Sequence, residues 1–301
     1  MTAFRLAPAS LALAMLAALP ALADDQPRIA VISAFEPEWV SLKADLADPA
    51  EEVINGNHFV TGTLSGKPVV LFLSGVSMVN AAMVTQLALD HFKLEAIVFS
   101  GIAGGVDPQR HIGDVVVAAQ WGNYLESIMA RETDGRFAIP AFLASPFPNY
   151  GMIFTSETTV ASARGEPESR FWFPADPALL EVARKVADKA DLAGCNAQNA
   201  CLLHRPQVIV GGNGVSGSAF VDNAGLREWI FATFQAQVVD MESASVAQVA
   251  WANQVPFIAF RSLSDLAGGG EAENEMGTFM SLASQNSALL VKSFLADLPA
   301  D

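Results

Sequence analysis

The sequence contains a series of short apolar runs, and most of them are followed by a glycine or an acid and then by a helical pattern. These runs cover residues 28–35, 67–76, 95–105, 112–120, 207–212, 236–242 and 256–265. Strands that are apolar along their whole length are typical of a parallel sheet that is covered by helices on both faces. The alternation therefore predicts an α/β fold: a single-domain, three-layer α/β/α sandwich around a mixed, mostly parallel sheet.

Residues 1–23 are interpreted separately from this pattern. They contain one early basic residue, Arg5, then an apolar run through Leu19, and they end in Ala21-Leu22-Ala23. This arrangement is typical of a cleaved secretory signal peptide. A membrane anchor is the alternative, but the run is short and no basic cluster follows it. We therefore expect a periplasmic or secreted protein of residues 24–301 that has no membrane attachment after cleavage.

Composition limits the partners that this domain can have. The hydrophobic fraction of 51% is enough for a substantial core. Without residues 1–23 the chain keeps 16 basic residues, one fewer than the full 17, against 32 acidic ones. Such a surface repels nucleic acid and anionic membranes, which bind through lysine and arginine.

Cys195 and Cys201 are close in sequence, and in an exported chain they predict a local disulfide that contributes about 2 kcal/mol.

Region 121–205 departs from the strand–helix pattern. It is rich in proline and aromatic residues and contains one clear helical pattern, at 177–190. We interpret it as an insertion-bearing part of the same domain.

The glycine-rich stretch 211–217 has the spacing GxGxxG at Gly212, Gly214 and Gly217. A dinucleotide fingerprint needs a helix that begins at its third glycine. Here a helical pattern resumes only near Leu226, so nicotinamide or flavin binding is disfavoured. The glycines are interpreted instead as a turn where the backbone approaches a ligand closely.

Acidic side chains follow three of the predicted strands. Glu38 follows the first strand, Glu242 ends the run 236–242 two residues after Asp240, and Asp265 ends the last strand. Helix capping and the helix dipole are the structural alternatives for such acids. Ligands of α/β sheets bind beyond the carboxyl ends of the strands, where these acids meet. With no metal-ligand spacing and no Ser-His-Asp set, the acids favour acid–base hydrolysis of a glycosidic bond, with no cofactor and no metal.

The motifs AVISAFEPE, FLSGVSMVNAA, FSGIAGGVDP, IGDVVVA, GSAFVDN, VVDMESASVAQVA and VPFIAFRSLSD occur in that order. Together they resemble the nucleoside phosphorylase superfamily, and most closely its 5′-methylthioadenosine/S-adenosylhomocysteine nucleosidase branch. The resemblance begins at about Ile29 and continues to the C-terminus. It implies an N-glycosidic hydrolase that acts on a purine nucleoside, without a cofactor, as a homodimer.

The resemblance also implies roles for single residues. Asp265 would protonate purine N7, with Ser264 beside it, and Glu38 would activate the water. Glu242 would hold the ribose hydroxyls while Asp240 orders the turn that presents it. The remaining substrate-binding residues implied are Ala34, Phe35, Val76, Gly104, Phe220 (stacked on the base), Val221 (bonding the base edge through its backbone) and Met241 (packed on the sugar).

Two alternatives to hydrolysis stay open at this point. Phosphorylases of the superfamily place arginines near the first strand and before the glycine turn, whereas this chain has ISAFEPEW and VFSGIAGG there. A carboxylate at Glu38 would also repel phosphate. The other alternative is a nucleoside-binding or storage protein of the same fold. The chain departs from the branch at Ile102, usually Ser or Thr, and at Phe35 and Pro37.

Overall fold

The computed structural model describes residues 24–270 and 273–299. The predicted signal peptide, residues 1–23, lies outside the described residues. Numbered along the chain, the helices are α1 Glu36–Ala44, α2 Met78–His91, α3 Pro177–Ala187, α4 Ala224–Phe234, α5 Ser243–Asn253 and α6 Met276–Asp297.

The strands, numbered in the same way, fall into one large sheet and three small ones. They are β1 Asp24–Ser33, β2 Ala47–Ile54, β3 Asn57–Leu64, β4 Lys67–Leu73, β5 Phe92–Gly105, β6 Val115–Val117, β7 Gln120–Asn123, β8 Ser127–Met129, β9 Arg131–Thr133, β10 Arg136–Ala138, β11 Ile153–Thr155, β12 Thr158–Ser162, β13 Gly165–Arg170, β14 Trp172–Pro174, β15 Val208–Val210, β16 Asn213–Ser216, β17 Ala236–Asp240 and β18 Phe257–Asp265. Twelve of them form the large sheet, with the main order β14-β7-β16-β17-β5-β1-β4-β3-β2, while β6, β15 and β18 branch from it.

The large sheet is mixed and has parallel pairs at its centre. Strand β5 pairs in parallel with both β1 and β18, and β1 pairs in parallel with β4. Antiparallel pairs add β3 and β2 at one edge, and β14 pairs antiparallel with β7 at the other. The sequence-based prediction of a mixed, parallel-centred sheet is confirmed.

Helices cover both faces of this sheet, and the side chains of β1 show how. Ala30 and Ile32 belong to a buried cluster that includes residues of α2 and α5. Ile29 and Val31 point to the opposite face and join a second cluster with α1, α3 and α6. Because successive strand residues alternate between faces, one apolar strand fills two cores at once. This is the predicted three-layer sandwich.

Strands β2 and β3 form a hairpin that the apolar pattern does not predict. They are joined by Asn55 and Gly56, which take φ values of 49° and 77°. Two successive residues with positive φ are the signature of the tight hairpin turn that Asn-Gly favours. The dipeptide was therefore a usable signal in a segment of low hydrophobicity.

Region 121–205 contains most of the structure that the sequence left unassigned. Its small antiparallel sheets pair β8 with β11, β9 with β10 and β12 with β13. Its predicted helix is α3, which ends at Ala187 rather than at 190. Cys195 and Cys201 form the predicted disulfide.

The interpretation of the glycine-rich stretch is wrong in part. Gly212 does occupy a turn, with φ of 70°, but Gly214 lies within β16 between β7 and β17. A Cβ on Gly214 would lie 2.6 Å from the ring of Trp121. Position 214 is thus glycine because a buried tryptophan leaves no room for a side chain, and not because a ligand approaches it.

No helix within the described ranges is both long and apolar enough to cross a membrane.

Candidate active site

A cavity of about 250 Å³ opens where β1, β4, β5, β16, β17 and β18 end. The residues predicted for the site all line it: Ala34, Phe35, Glu38, Val76, Gly104, Phe220, Val221, Met241, Glu242, Ser264 and Asp265. The structure thus brings the predicted set to one place. Its catalytic and binding roles stay predictions.

The most buried polar feature beside the cavity is the guanidinium of Arg261. This residue is 0% exposed and lies within strand β18. Its Nε is 2.7 Å from Asp240 Oδ2, its Nη2 is 3.3 Å from Glu242 Oε2, and its Nη1 is 3.7 Å from Glu38 Oε1. Burial alone would lower the pKa of Arg261, but the three carboxylates outweigh it and raise the pKa. One cation therefore holds together acids from two segments, the first turn of α1 and the turn between β17 and α5.

Glu38 occupies the first turn of α1, as predicted, but it is not a solvated dipole partner. Only 2% of it is exposed. Its Oε2 accepts hydrogen bonds from the backbone amides of Ala34 (2.5 Å) and Phe35 (3.4 Å), and its Oε1 accepts one from Ile102 (2.8 Å). Burial raises its pKa, while Arg261 and these amides act in the opposite direction. A buried carboxyl whose pKa is raised is suited to accept a proton near neutral pH.

Asp240 and Glu242 make different contacts in the turn between β17 and α5. Asp240 Oδ1 accepts from the amides of Glu242 and Ser243, each at 3.2 Å, and from the hydroxyl of Ser216. Asp240 therefore orders the turn, as predicted. Glu242 Oε1 accepts from the amide of Ser77 at 2.8 Å. Burial raises the pKa of Glu242 to about 7, against the opposing effect of Arg261.

Asp265 ends β18 on the other side of the cavity, with neutral hydrogen-bond donors around its carboxyl. Its Oδ2 accepts from the hydroxyl of Ser264 at 2.9 Å, and its Oδ1 accepts from the amide of Ala267 at 2.8 Å. Burial raises its pKa because these neutral donors only partly compensate for the lost water. A carboxyl held in this way can carry a proton to a leaving group.

Gly101 is a position where the buried cluster excludes any side chain. A Cβ there would lie 2.1 Å from Arg261 Nη1 and 2.6 Å from Glu38 Oε1. The glycine lies in β5, which passes directly beneath the charged groups. Close approach between backbone and cluster therefore explains why this residue is glycine.

The rest of the cavity wall is apolar. Phe35, Ile102, Met241 and Met276 contribute to it, and Phe220 is 56% exposed at the opening. The departure at Ile102 removes a side-chain hydroxyl but leaves the backbone amide, which donates to Glu38. An apolar wall with a few convergent polar groups is typical of sites for small organic ligands.

Sequence reasoning did not assign Met276 or Arg261 to the site, nor the small apolar lining residues Ala103, Ala219 and Val239. Met276 begins α6 and lines the cavity, although nothing in its local pattern indicates this. Arg261 offered a clearer signal, because it interrupts the apolar run FIAFRSLSD. A charged residue in a buried strand must be paired, and the predicted site acids were candidates for its partners.

Comparisons with known proteins agree with this geometry. A 5′-methylthioadenosine/S-adenosylhomocysteine nucleosidase from Marinomonas sp. (strain MWYL1) is 31% identical over 269 residues, which cover 89% of this chain and 97% of the relative. The structure is also similar to the nucleosidase of that name from Neisseria meningitidis in complex with methylthio-immucillin-A. In that case the identity is 26%, the TM-score is 0.69, and 90% of this chain and 99% of the other are covered.

A further similar structure is the futalosine hydrolase of Helicobacter pylori strain 26695, with 25% identity, a TM-score of 0.70, and coverage of 90% and 98%. The family model described as the phosphorylase superfamily matches residues 28–296. The chain belongs to the phosphorylase superfamily.

Proposed function

We propose that the chain is a purine nucleosidase that hydrolyses the N-glycosidic bond of a nucleoside such as 5′-methylthioadenosine, S-adenosylhomocysteine or adenosine. The products are the free base and a ribose derivative. The observation that carries the proposal is the convergence of Glu38, Glu242 and Asp265 on one cavity, together with relatives named as nucleosidases.

Asp265 is the general acid in this proposal. As the bond between C1′ and N9 breaks, its electron pair moves into the purine, and Asp265 donates a proton to N7. The raised pKa of its carboxyl supports this role, because a carboxylic acid of ordinary pKa holds no proton near neutral pH. Phe220 stacks on the base, and the backbone of Val221 bonds its edge.

Glu38 is the general base for water. It takes a proton as the water oxygen bonds to C1′, which completes the hydrolysis. The transition state resembles an oxocarbenium ion, so Glu38 and Glu242 also stabilise its positive charge. Glu242 accepts hydrogen bonds from the ribose hydroxyls, and Met241 packs against the sugar.

The charge around the cavity favours water over phosphate as the nucleophile. Arg261 lies beside the cavity, but three carboxylates surround it and it does not belong to the cavity wall. Phosphate would meet more negative than positive charge there, which raises its free energy. This arrangement supports hydrolysis over phosphorolysis.

A single assay tests the proposal. Purified residues 24–301 are incubated with 5′-methylthioadenosine, adenosine or inosine, with and without phosphate, and free base is measured by chromatography. We expect base release at the same rate in both conditions and no ribose 1-phosphate product. Release that requires phosphate would establish a phosphorylase, and binding without release would establish a storage protein.

We also infer a homodimer. Val79 and Met83 lie on one face of α2, one turn apart, and are 76% and 53% exposed; Val76, 44% exposed, precedes them at the cavity. An apolar patch continuous with a ligand cavity is a suitable surface for a second copy. Sedimentation with wild type and Met83→Glu tests this, and a wild-type monomer would contradict it.

The disulfide between Cys195 and Cys201 supports the further proposal that the protein is exported, since such bonds persist in oxidising compartments. Fractionation of cells that express the full chain tests this. Uncleaved protein in the cytoplasm would contradict it.

A further inference from the structure

Asn274 lies at a junction between the proposed general acid and a second carboxylate that the mechanism does not use. Its Nδ2 donates to Asp222 Oδ1 at 3.0 Å and to Asp265 Oδ1 at 3.4 Å. Its Oδ1 accepts from the amide of Met276 at 2.9 Å, at the start of α6. The opposite orientation of the amide would aim its oxygen at two carboxylates, so this orientation is electrostatically determined.

Neither Asn274 nor Asp222 belongs to the cavity wall, and both reach the proposed acid: Asn274 by its hydrogen bond to Asp265, and Asp222 through Asn274. Oδ1 of Asp265 already accepts from the amide of Ala267, and the amide of Asn274 is its second donor. A carboxyl oxygen that accepts two hydrogen bonds is a poor place for a proton. Among the described residues, Oδ2 accepts only from Ser264, so it is the oxygen left to carry the proton.

The residues that follow Asp265 are held in place by contacts with the start of α4. The hydrogen bond from Asn274 adds a contact from the side of α6. Gly268 packs so tightly on Asn223 that a Cβ would lie 2.3 Å from its backbone nitrogen, and Gly269 packs in the same way on Arg227. The amide of Asn223 also donates to the carbonyl of Ala267.

We propose that Asn274 is a positioning residue that holds Asp265 through Oδ1, places the transferable proton on Oδ2, and connects the acid to Asp222. This inference rests on the proposed nucleosidase function. Asp222 raises the pKa of Asp265, and the amide of Asn274 lowers it. The two neighbours act in opposite directions on the same group, which gives the inference a distinctive signature.

The other charged groups at the cavity stay unchanged in the test variants. They include Arg227 of α4, which packs against Gly269, Glu275 before α6, whose carboxylate lies beside Gly270, and the cluster of Arg261 with Glu38, Asp240 and Glu242.

The experiment is a ¹³C NMR titration of the Asp265 carboxyl in protein labelled at aspartate, with the resonance assigned by its loss in Asp265→Asn. Asn274→Ala should raise the pKa of Asp265, and Asp222→Asn should lower it. Asn57→Ala, which removes an asparagine amide from the β2–β3 turn, should leave it unchanged. Identical titration in wild type and both test variants would overturn the inference.

Kinetics provide a second readout. Asn274→Ala should lower kcat about tenfold, because the acid loses the contact that holds its proton-bearing oxygen in place, with KM within about twofold. An equal loss in the Asn57→Ala control would overturn a specific role for Asn274. A wild-type protein that releases no base would contradict the proposed function alone, because the NMR titration needs no turnover.

Discussion

The two sides of the cavity handle buried carboxyls in different ways. On one side Glu38, Asp240 and Glu242 surround a cation, Arg261, which is fully buried. On the other side, the donors that the described part of the chain offers to Asp265 are neutral, and they come from Ser264, Ala267 and Asn274. A cation stabilises the ionised form, whereas neutral donors compensate only partly for the loss of water. Burial nevertheless raises the pKa of Glu38, Glu242 and Asp265 alike, so the difference lies in what opposes burial: a cation on one side and neutral donors on the other.

The largest expected effect comes from removing the acid. Asp265→Asn keeps the shape and a donor for N7 but has no proton to transfer, so kcat should fall by about 10³-fold. Binding of a nucleoside, measured by calorimetry, should survive. Glu38→Gln serves as the matched variant on the arginine side, and it should also lower kcat. A nearly normal kcat in Asp265→Asn would show that Asp265 is not the general acid.

The next largest effect should follow removal of the cation. Arg261→Met leaves three buried carboxylates without their partner, and breaking a buried ion pair costs about 3–5 kcal/mol. Urea unfolding should show this loss in the free energy of unfolding, together with much reduced activity. Arg261→Lys keeps the charge but loses the Nη contacts, so its loss should be smaller. Equal stability of Arg261→Met and wild type would mean that the cluster is not held by charge.

The sequence predicted the strand ends well, and the physical reason is that buried parallel strands are apolar along their whole length. This pattern places Glu38, Glu242 and Asp265 at the ends of β1, β17 and β18 before any coordinates are known. It carries no information on edge strands such as β2, where the residues are mostly exposed. It also carries little on the small sheets of 121–205, whose strands are short.

The contacts inside the site were harder to predict than its members. Arg261 was visible as a charge in an apolar run, but its partners lie in two other segments, Glu38 in α1 and Asp240 with Glu242 in the turn after β17. Asn274 follows a glycine-rich stretch and resembles an ordinary loop residue. Its contacts with Asp222 and Asp265 depend on how α6 begins, which local pattern does not specify. The acids of the site could therefore be predicted from the sequence. The neighbouring groups that shift their pKa values could be identified only from the fold.

The titration of Glu242 sharpens the comparison through stability. Its pKa is about 7 in the folded protein against an ordinary value of 4.5. Between these pH values the folded state holds a proton that the unfolded state has lost. The free energy of unfolding should therefore fall as pH rises from 4.5 to 7, by up to about 3 kcal/mol from this group.

Glu242→Gln removes that contribution, so the difference between the variant and wild type isolates it. Urea unfolding at pH 4.5, 6 and 7.5 should show the variant gaining stability relative to wild type as pH rises. Glu52→Gln, at an exposed position on β2, is the control. A constant difference across the range would mean that Glu242 is already ionised at low pH. In that case the effect of Arg261 on the pKa of Glu242 would outweigh the effect of burial.

The smallest expected effect concerns the backbone that holds Glu242. Ser77 donates its amide to Glu242 from a conformation with φ of 82° and ψ of 159°, a region that only glycine occupies without cost. Ser77→Gly should raise the free energy of unfolding by about 1 kcal/mol, since relief of strain exceeds the entropic cost of glycine. Ser65→Gly, in the milder left-handed turn between β3 and β4 with φ of 50°, should gain less. If Ser77→Gly instead lowers kcat at unchanged stability, the rigid presentation of this amide is part of how the arginine side holds the ribose.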